Sequence, residues 1–530
     1  NQSVHSYRGI PYAAPPIGAL RWAPPSTPTP WTDTVDATVQ GNVCVQAAFG
    51  GLPIPGFSPS EDCLFLNVDT PAEGSGLPVM VWIHGGAFTL GEGLQADGGT
   101  AGDRIARETG TVVVSMNYRL GQFGFLAHSA LSGESPTNAS GNYGLLDQTA
   151  ALEWVQQNIA EFGGDPDNVT IFGESAGAFS VCSHLVSPRS AGLFDKAILQ
   201  SGSCERPFPG AEAAEAQGDA FADALGCGGE TDADGVLDCM RAADADAVLA
   251  ALPPTPNFGF TTTTDGTTNW GPVIDGLFMT EQPATSFESG NFTQVPTLIG
   301  FTRGEARLFV WLAEIADDPL AVTEENYEAL IAFLIGGNAT LAAQAVAEYP
   351  LDDFSEPAEA LAAVATDTIF RCPAKQEATN ISAFVPDTYL FQFEYPNARF
   401  QLEPFLFLLE AELPAYGLDA FHGADISYVF GYDPLLEVDL MTFEATLRTW
   451  SPGSIDERLW LDTIGYFTRF AATGDPNGSG AVEWLPYDPD TDEYLILDAP
   501  IAAGTNAAPR CRSFWEDTDY LASPLLAEND

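Results

Sequence analysis

The chain has 530 residues, of which 45% are hydrophobic and 11% aromatic, enough to build a large core and to exclude disorder, while no apolar run reaches the roughly 18 residues a membrane-spanning helix requires. Its 73 acidic against 19 basic side chains leave a net charge of −54, a field that repels nucleic acid and anionic membrane surfaces. The acidity is spread along the chain rather than gathered into a tail, which fits a protein from a salty environment where screening relieves self-repulsion, and only Lys196 and Lys375 are lysines.

Asn1 opens directly into "SVHSYRGIPYAAPP" with no signal peptide ahead of it, as expected of a mature or trimmed chain. The first 40 residues are rich in Pro and Trp and are expected to wrap the body without long elements. Strands then alternate with helices. "LPVMVWIHGGAF", "GTVVVSMNYRLG", "NVTIFGESAG" and "KAILQSGS" each place a short apolar strand before a glycine-bearing turn, and "LLDQTAALEWVQQNIAEFG" between them has amphipathic helical spacing. This rhythm predicts an α/β fold with a large, mostly parallel central sheet flanked by helices, its active site at the carboxyl ends of the strands. Residues 210–256 and 312–366 shift to Ala and Asp on short helical patterns and read as helical cap insertions; "VPTLIGFTRGEARLF" and "TYLFQFEY" restore strand character. The aromatic stretch "YPNARFQLEPFLFLLEAELPAYGLDAF" is suited either to line an acyl or alcohol pocket or to fill core.

The pentapeptide Gly173-Glu174-Ser175-Ala176-Gly177 ends an apolar run and starts a helical one. A serine between glycines at a strand-to-helix turn is held strained and exposed, as a nucleophile must be. Such a serine needs a base, and the chain has five histidines. His184 lies on the helix that follows Ser175, roughly 13 Å along its axis. His5, His84 and His128 precede Ser175, whereas the triad order for this class is Ser, acid, His. Only His422, in "DAFHGADISYVFG", follows. The glycines of "HGGAF", directly after the strand "VMVWI", suit an oxyanion-hole turn, where backbone N–H groups approach the substrate.

Eight cysteines without a C-x-x-C pair or an accompanying His give no zinc pattern, and no metal site is expected. Cys44 and Cys63 bracket a Gly/Pro-rich loop, Cys227 and Cys239 bracket "GGETDADGVLD", and both pairs read as short surface staples formed in an oxidising compartment. Asn138, Asn291 and Asn380 sit in sequons compatible with export. No calcium-loop pattern accompanies the acidity.

The segments "YRGIPYAAPPIGALRW", "EDCLFLNV", "WIHGGAF", "NYRLGQFGFL", "GNYGLLDQ", "FGGDPDNVTIFGESAGA" and "AILQSG" resemble the type-B carboxylesterase and lipase family, which includes the cholinesterases; the likeness runs from about Tyr7 to Phe514 and is densest over the first 200 residues. The resemblance implies one α/β-hydrolase domain over residues 1–530, with cap insertions near 210–256 and 312–366, and ester hydrolysis through an acyl-enzyme at Ser175 with neither metal nor organic cofactor. Carried onto this chain, the family's oxyanion donors are the N–H groups of Gly86, Ala87 and Ala176, its acid is Glu305, and its histidine-supporting residues are Glu174 and Ser201. Position 87 is Gly in many relatives, and the family's Asp-Glu-Gly around the acid is Gly-Glu-Ala here. The two cysteine pairs above match family disulfides, and Cys372 with Cys511 resembles a third. Cys182 and Cys204 remain, either as a fourth pair or as free thiols. Asp425, three residues after His422, is the rival acid and otherwise a supporting residue. Relatives usually carry an extra strand pair before the equivalent of Val4, which suggests cleavage, truncation or disorder ahead of it here.

The expected activity is hydrolysis of neutral, medium-chain or aromatic carboxylic esters by a secreted or periplasmic enzyme. Its partner is a small-molecule ester, with no nucleic acid and no membrane span; the oligomeric state is open. The alternatives are a lipase or sterol esterase, and a non-catalytic adhesion protein of the neuroligin type, a branch that has usually lost part of the triad.

Overall fold

Strands form where β-branched and aromatic residues run together and glycines or prolines stop them. The structure is a computed structural model describing residues 3–46, 59–95, 99–230, 232–253, 270–315, 321–398, 415–438, 445–516, 518 and 520, with the side chains of 434–438 and 445–448 outside that description. The aromatic stretch expected near the substrate falls largely on 399–414, outside the described residues.

The chain divides into two compact units, the first made of Asn1–Ala197, Phe208–Thr255 and Gly266–Thr293 and the second of Ile198–Pro207, Pro256–Asp265 and Gln294–Asp530. In the first, strands β1 (Val4–Pro11), β2 (Phe65–Pro71), β3 (Leu77–Ile83), β4 (Val112–Met116) and β5 (Gly164–Glu174) lie in the order β1-β2-β4-β3-β5. β3 runs parallel to β4 and to β5, while β1 and β2 form an antiparallel edge. The inner strands are buried on both faces and read as continuous apolar runs, as central parallel strands must. Two local expectations shift. The N-terminal segment contains an eight-residue strand, missed because Gly9 interrupts its pattern. There φ is +66° and a Cβ would stand 2.7 Å from the Val39 carbonyl oxygen, so the chain bulges between Tyr7 and Ile10 and resumes pairing. β5 begins at Gly164, four residues ahead of the segment "NVTIFGESAG" in which the strand is expected, and a register shift against β3 absorbs its Asp and Pro residues.

Helices α1 (Tyr143–Asn158) and α2 (Ala176–Val186) belong to this unit. The buried Arg119 guanidinium donates to both Asp147 carboxylate oxygens at 2.7 and 2.8 Å, tying the turn after β4 to α1. Within 210–256 stand helices Ala211–Ala224, Ala233–Ala242 and Ala245–Ala251; the last two are capped by Asp232 and Asp244, whose carboxylates accept from the N–H groups of Gly235 and Ala247.

Strand β6 (Lys196–Gln200) crosses the division between the units. In the second unit β7 (Thr297–Thr302), β8 (Thr388–Phe393) and β9 (Glu493–Leu497) run parallel, and β10 (Ala502–Thr505) closes the edge antiparallel. Within 312–366 stand helices Tyr327–Leu334, Ala339–Glu348 and α4 (Pro357–Ala365), with α3 (Glu305–Glu314) running into that region and α5 (Cys372–Ser382) following it. The region's small residues pack a core around Tyr327, Tyr349 and Trp515, in which the Trp515 indole donates to the Tyr349 hydroxyl at 2.8 Å. A π-helical turn, Thr366–Arg371, joins α4 to α5.

Cys44–Cys63, Cys227–Cys239 and Cys372–Cys511 are disulfides. Cys182 and Cys204 are also disulfide-bonded, and no cysteine is free. The first pair is not a surface staple: both of its half-cystines are buried. Both lysines are interior, Lys196 donating to the Asn168 side chain at 2.5 Å and Lys375 to Asp492 and the Ala507 carbonyl at 2.6 Å each.

Candidate active site

Ser175 stands between β5 and α2 with φ +56° and ψ −124°, a conformation L-residues avoid and one held by its surroundings. The flanking glycines allow the turn to close. A Cβ on Gly177 would sit 2.0 Å from the Ile83 carbonyl oxygen, and one on Gly173 would sit 2.5 Å from Gly177 and 2.7 Å from Ile83. The serine is thereby seated over the end of β3, from which the "HGGAF" turn springs. That turn lies against the serine: a Cβ on Gly85 would meet the Glu174 carbonyl oxygen at 2.8 Å and the Ser175 Cβ at 3.1 Å. Gly86 has φ +107°, and its carbonyl accepts from the N–H groups of Thr89 and Leu90. Ala87 has φ +53°, so the alanine that stands where many relatives have glycine bears left-handed strain of roughly 1–2 kcal/mol. Ala176 is the first residue of α2, where backbone N–H groups have no intrahelical acceptor. Glu174 is buried at the end of β5.

Three of the other four histidines have local tasks. His84 stacks on Tyr118 with ring centroids 4.3 Å apart and contacts the Gly85 carbonyl through Nδ1 at 2.8 Å; burial pushes its pKa down to about 4, so it is neutral and braces the turn. His184 is buried between Gln148 and Ser190, and burial lowers its pKa to about 3. His128 caps the short helix Ser129–Glu134 by accepting from the Ala130 N–H. His5 lies exposed on β1.

In the second unit β7 ends at Thr302, and Glu305 opens α3 three residues later. The Glu305 carboxylate is fully buried; one oxygen accepts from the Thr302 N–H at 2.6 Å and the other meets His422 Nδ1 at 2.7 Å. The two loops are joined by backbone as well, since the Gly304 N–H donates to the Ala420 carbonyl at 2.7 Å. Asp425 does not take this position. Its Oδ2 accepts from the Gln200 side-chain amide at 2.7 Å, and burial, opposed by that hydrogen bond and reinforced by the Glu305 charge, raises its pKa to about 6. Ser201, with φ +55°, donates its N–H to the Gly300 carbonyl, and its buried hydroxyl has no hydrogen-bond partner among the described residues.

Sequence reasoning missed Thr302 and Gln200, which hold the two carboxylates, and Phe309 and Phe370, whose ring centroids lie 4.8 and 4.9 Å from that of His422. Phe309 had a signal, one helical turn beyond Glu305 on the same face; Phe370 had none. Among the described residues no group of three His, Cys, Asp or Glu is arranged to hold a metal ion.

A carboxylesterase-family profile matches residues 1–515. The chain is 35% identical to para-nitrobenzyl esterase of Bacillus subtilis, across 94% of this chain and 92% of the relative. It is 35% identical to pyrethroid hydrolase Ces2a of Mus musculus, across 97% and 87%, and 32% identical to cocaine esterase of Homo sapiens, across 97% and 87%. A solved PNB esterase structure superposes with a TM-score of 0.76 at 33% identity, covering 97% of this chain and 96% of that one. The fold is therefore that of an α/β-hydrolase, with a large, mostly parallel sheet flanked by helices. The chain belongs to the carboxylesterase family and is a carboxylic-ester hydrolase.

Proposed function

We propose that hydrolysis proceeds through an acyl-enzyme on Ser175, with His422 as general base and acid and Glu305 as the orienting carboxylate. The buried 2.7 Å contact between Glu305 and His422 Nδ1 carries this reading: it keeps the ring proton on Nδ1 and leaves Nε2 to act as base. In the first half-reaction Ser175 Oγ bonds to the ester carbonyl carbon while its proton passes to Nε2. The N–H groups of Gly86, Ala87 and Ala176 then receive the oxyanion, and collapse expels the alcohol, which leaves with the proton. Water repeats the cycle on the acyl-enzyme and releases the acid.

The substrates we assign are neutral esters with an aromatic or medium-chain group. Para-nitrobenzyl esterase and pyrethroid hydrolase among the relatives support this choice, and a net charge of −54 disfavours polyanionic esters. Oxidation of all eight cysteines supports export to an oxidising compartment, and the acidic composition supports a working environment rich in salt. A fluorophosphonate probe followed by peptide mapping tests the mechanism: one adduct is expected, on Ser175, lost in Ser175→Ala. No adduct, or one on another serine, overturns it. A panel of p-nitrophenyl esters from acetate to palmitate should peak at medium chains; a maximum at palmitate would overturn the substrate assignment.

A further inference from the structure

His422, Phe309 and Phe370 form a close triangle. The imidazole centroid lies 4.8 Å from Phe309 and 4.9 Å from Phe370, and the two phenyl rings are 6.1 Å apart and parallel to within 4°. The imidazole leans at about 50° to both, in a notch between parallel rings and not between facing plates. Phe309 belongs to α3, the helix that Glu305 opens. Phe370 belongs to the π-helical turn, where one extra residue in the turn rotates the side chains out of α-helical register. In an uninterrupted helix from α4 into α5, position 370 would face elsewhere.

The π turn is anchored at four of its six residues. The Thr366 hydroxyl accepts from the Ala306 N–H at 3.0 Å, next to the acid. Asp367 accepts from the Tyr349 hydroxyl at 2.7 Å and from Arg371 at 3.1 Å. Thr368 donates to the Val364 carbonyl at 2.9 Å, and Arg371 to the Arg303 carbonyl at 2.5 Å. Cys372, the next residue, is tied to Cys511. Arg303 in turn pairs with Asp419 of the loop that carries His422. The turn, the acid loop and the histidine loop are thus laced together, and Phe370, 4% exposed, meets Phe309 and His422 through its ring.

We infer that Phe370, presented by the π turn, is a positioning residue for His422: with Phe309 it holds the imidazole in the one orientation that keeps Nδ1 on Glu305. The inference rests on the reading of His422 as the catalytic base. A histidine has three χ1 wells and a broad, roughly two-fold χ2, about six arrangements, of which one is competent. Removing one wall of the notch returns part of this freedom, and the competent fraction should fall by about two- to fivefold.

The test compares Phe370→Leu, which keeps apolar bulk without a ring, with Phe370→Tyr, which keeps the ring. Leu should lower kcat about two- to fivefold with KM unchanged, and broaden the far-downfield proton resonance of the Nδ1–H bond to Glu305; Tyr should restore most of the rate. An unchanged kcat in the Leu variant, a raised KM at constant kcat, or a sharp unshifted resonance would overturn the inference; the second outcome would make the ring a substrate-binding surface. Should Phe370→Leu fail to fold, Thr366→Val, which removes the acceptor for the Ala306 N–H, must show the same kcat-selective loss. Labelling of the wild type at Ser175, abolished in His422→Ala, separates the two claims: without it the catalytic reading fails, and with it only the role of Phe370 is at stake.

Discussion

Replacing Glu305 by Gln preserves its size and removes its charge. Both carboxylate oxygens are acceptors, one for the Thr302 N–H at 2.6 Å and one for His422 Nδ1 at 2.7 Å, whereas a glutamine has one acceptor oxygen and one donor nitrogen. If the amide nitrogen faces Thr302, two donors meet in a fully buried site. If it faces His422, Nδ1 must become the acceptor and the ring proton moves to Nε2, the nitrogen that receives the serine proton in the proposed mechanism. The second arrangement is the milder one structurally and the fatal one chemically. We expect kcat on p-nitrophenyl butyrate to fall by on the order of 10³ to 10⁴, about 4 to 5.5 kcal/mol of transition-state stabilisation, with KM within a few-fold. Asp425→Asn provides the contrast. Its oxygen can still accept from Gln200, and with a pKa near 6 the wild-type group is already largely neutral in mild acid; the cost should therefore be about tenfold or less at pH 8 and should vanish near pH 5. Steady-state rates of both variants across that range decide the matter. A larger loss in Asp425→Asn than in Glu305→Gln would assign the acid to Asp425 and refute the geometry argued above.

Gly177→Ala should abolish soluble, active protein, because its Cβ would lie 2.0 Å from a backbone carbonyl oxygen that has nowhere to move, whereas Gly133→Ala, with nothing within 4 Å, should change the melting temperature little; expression and thermal melting of the pair test this. Glu377 is fully buried, and burial together with Glu205 pushes its pKa up to about 8. The folded state disfavours its ionised form, so stability is full below the ordinary carboxyl pKa and is lost as pH rises through 8. Glu377→Gln should flatten the fall in melting temperature between pH 5 and pH 8, and an unaltered slope would contradict this. With a net charge of −54, the melting midpoint should rise with NaCl from low salt to molar concentrations; a midpoint indifferent to salt would count against adaptation to a salty environment.

The serine turn was legible because its geometry is enforced locally: each glycine of the pentapeptide excludes a clash that any side chain would create, so spacing alone carries the message. His422 was reached by elimination among five histidines, an accident of composition more than a pattern. Glu305 came from resemblance, since nothing in "TRGEARL" says that its carboxylate turns back to meet the Thr302 N–H. The π turn left no trace at all. Its residues, "TDTIFR", continue an ordinary helical pattern, and what unwinds them is a set of tertiary anchors from Ala306, Tyr349 and Arg303. The strand at Val4–Pro11 was hidden for the opposite reason, a local glycine bulge that masks a pairing extending on both sides of it.

The interior placement of both lysines leaves no lysine amine on the outside of the molecule. Activated esters, which acylate exposed amines, would find no exposed lysine here, so single-turnover mass shifts with p-nitrophenyl substrates report on hydroxyl chemistry with little lysine background. By the same token, aldehyde or N-hydroxysuccinimide supports would have no lysine to grip, and immobilisation has to go through the carboxylates that crowd the exterior.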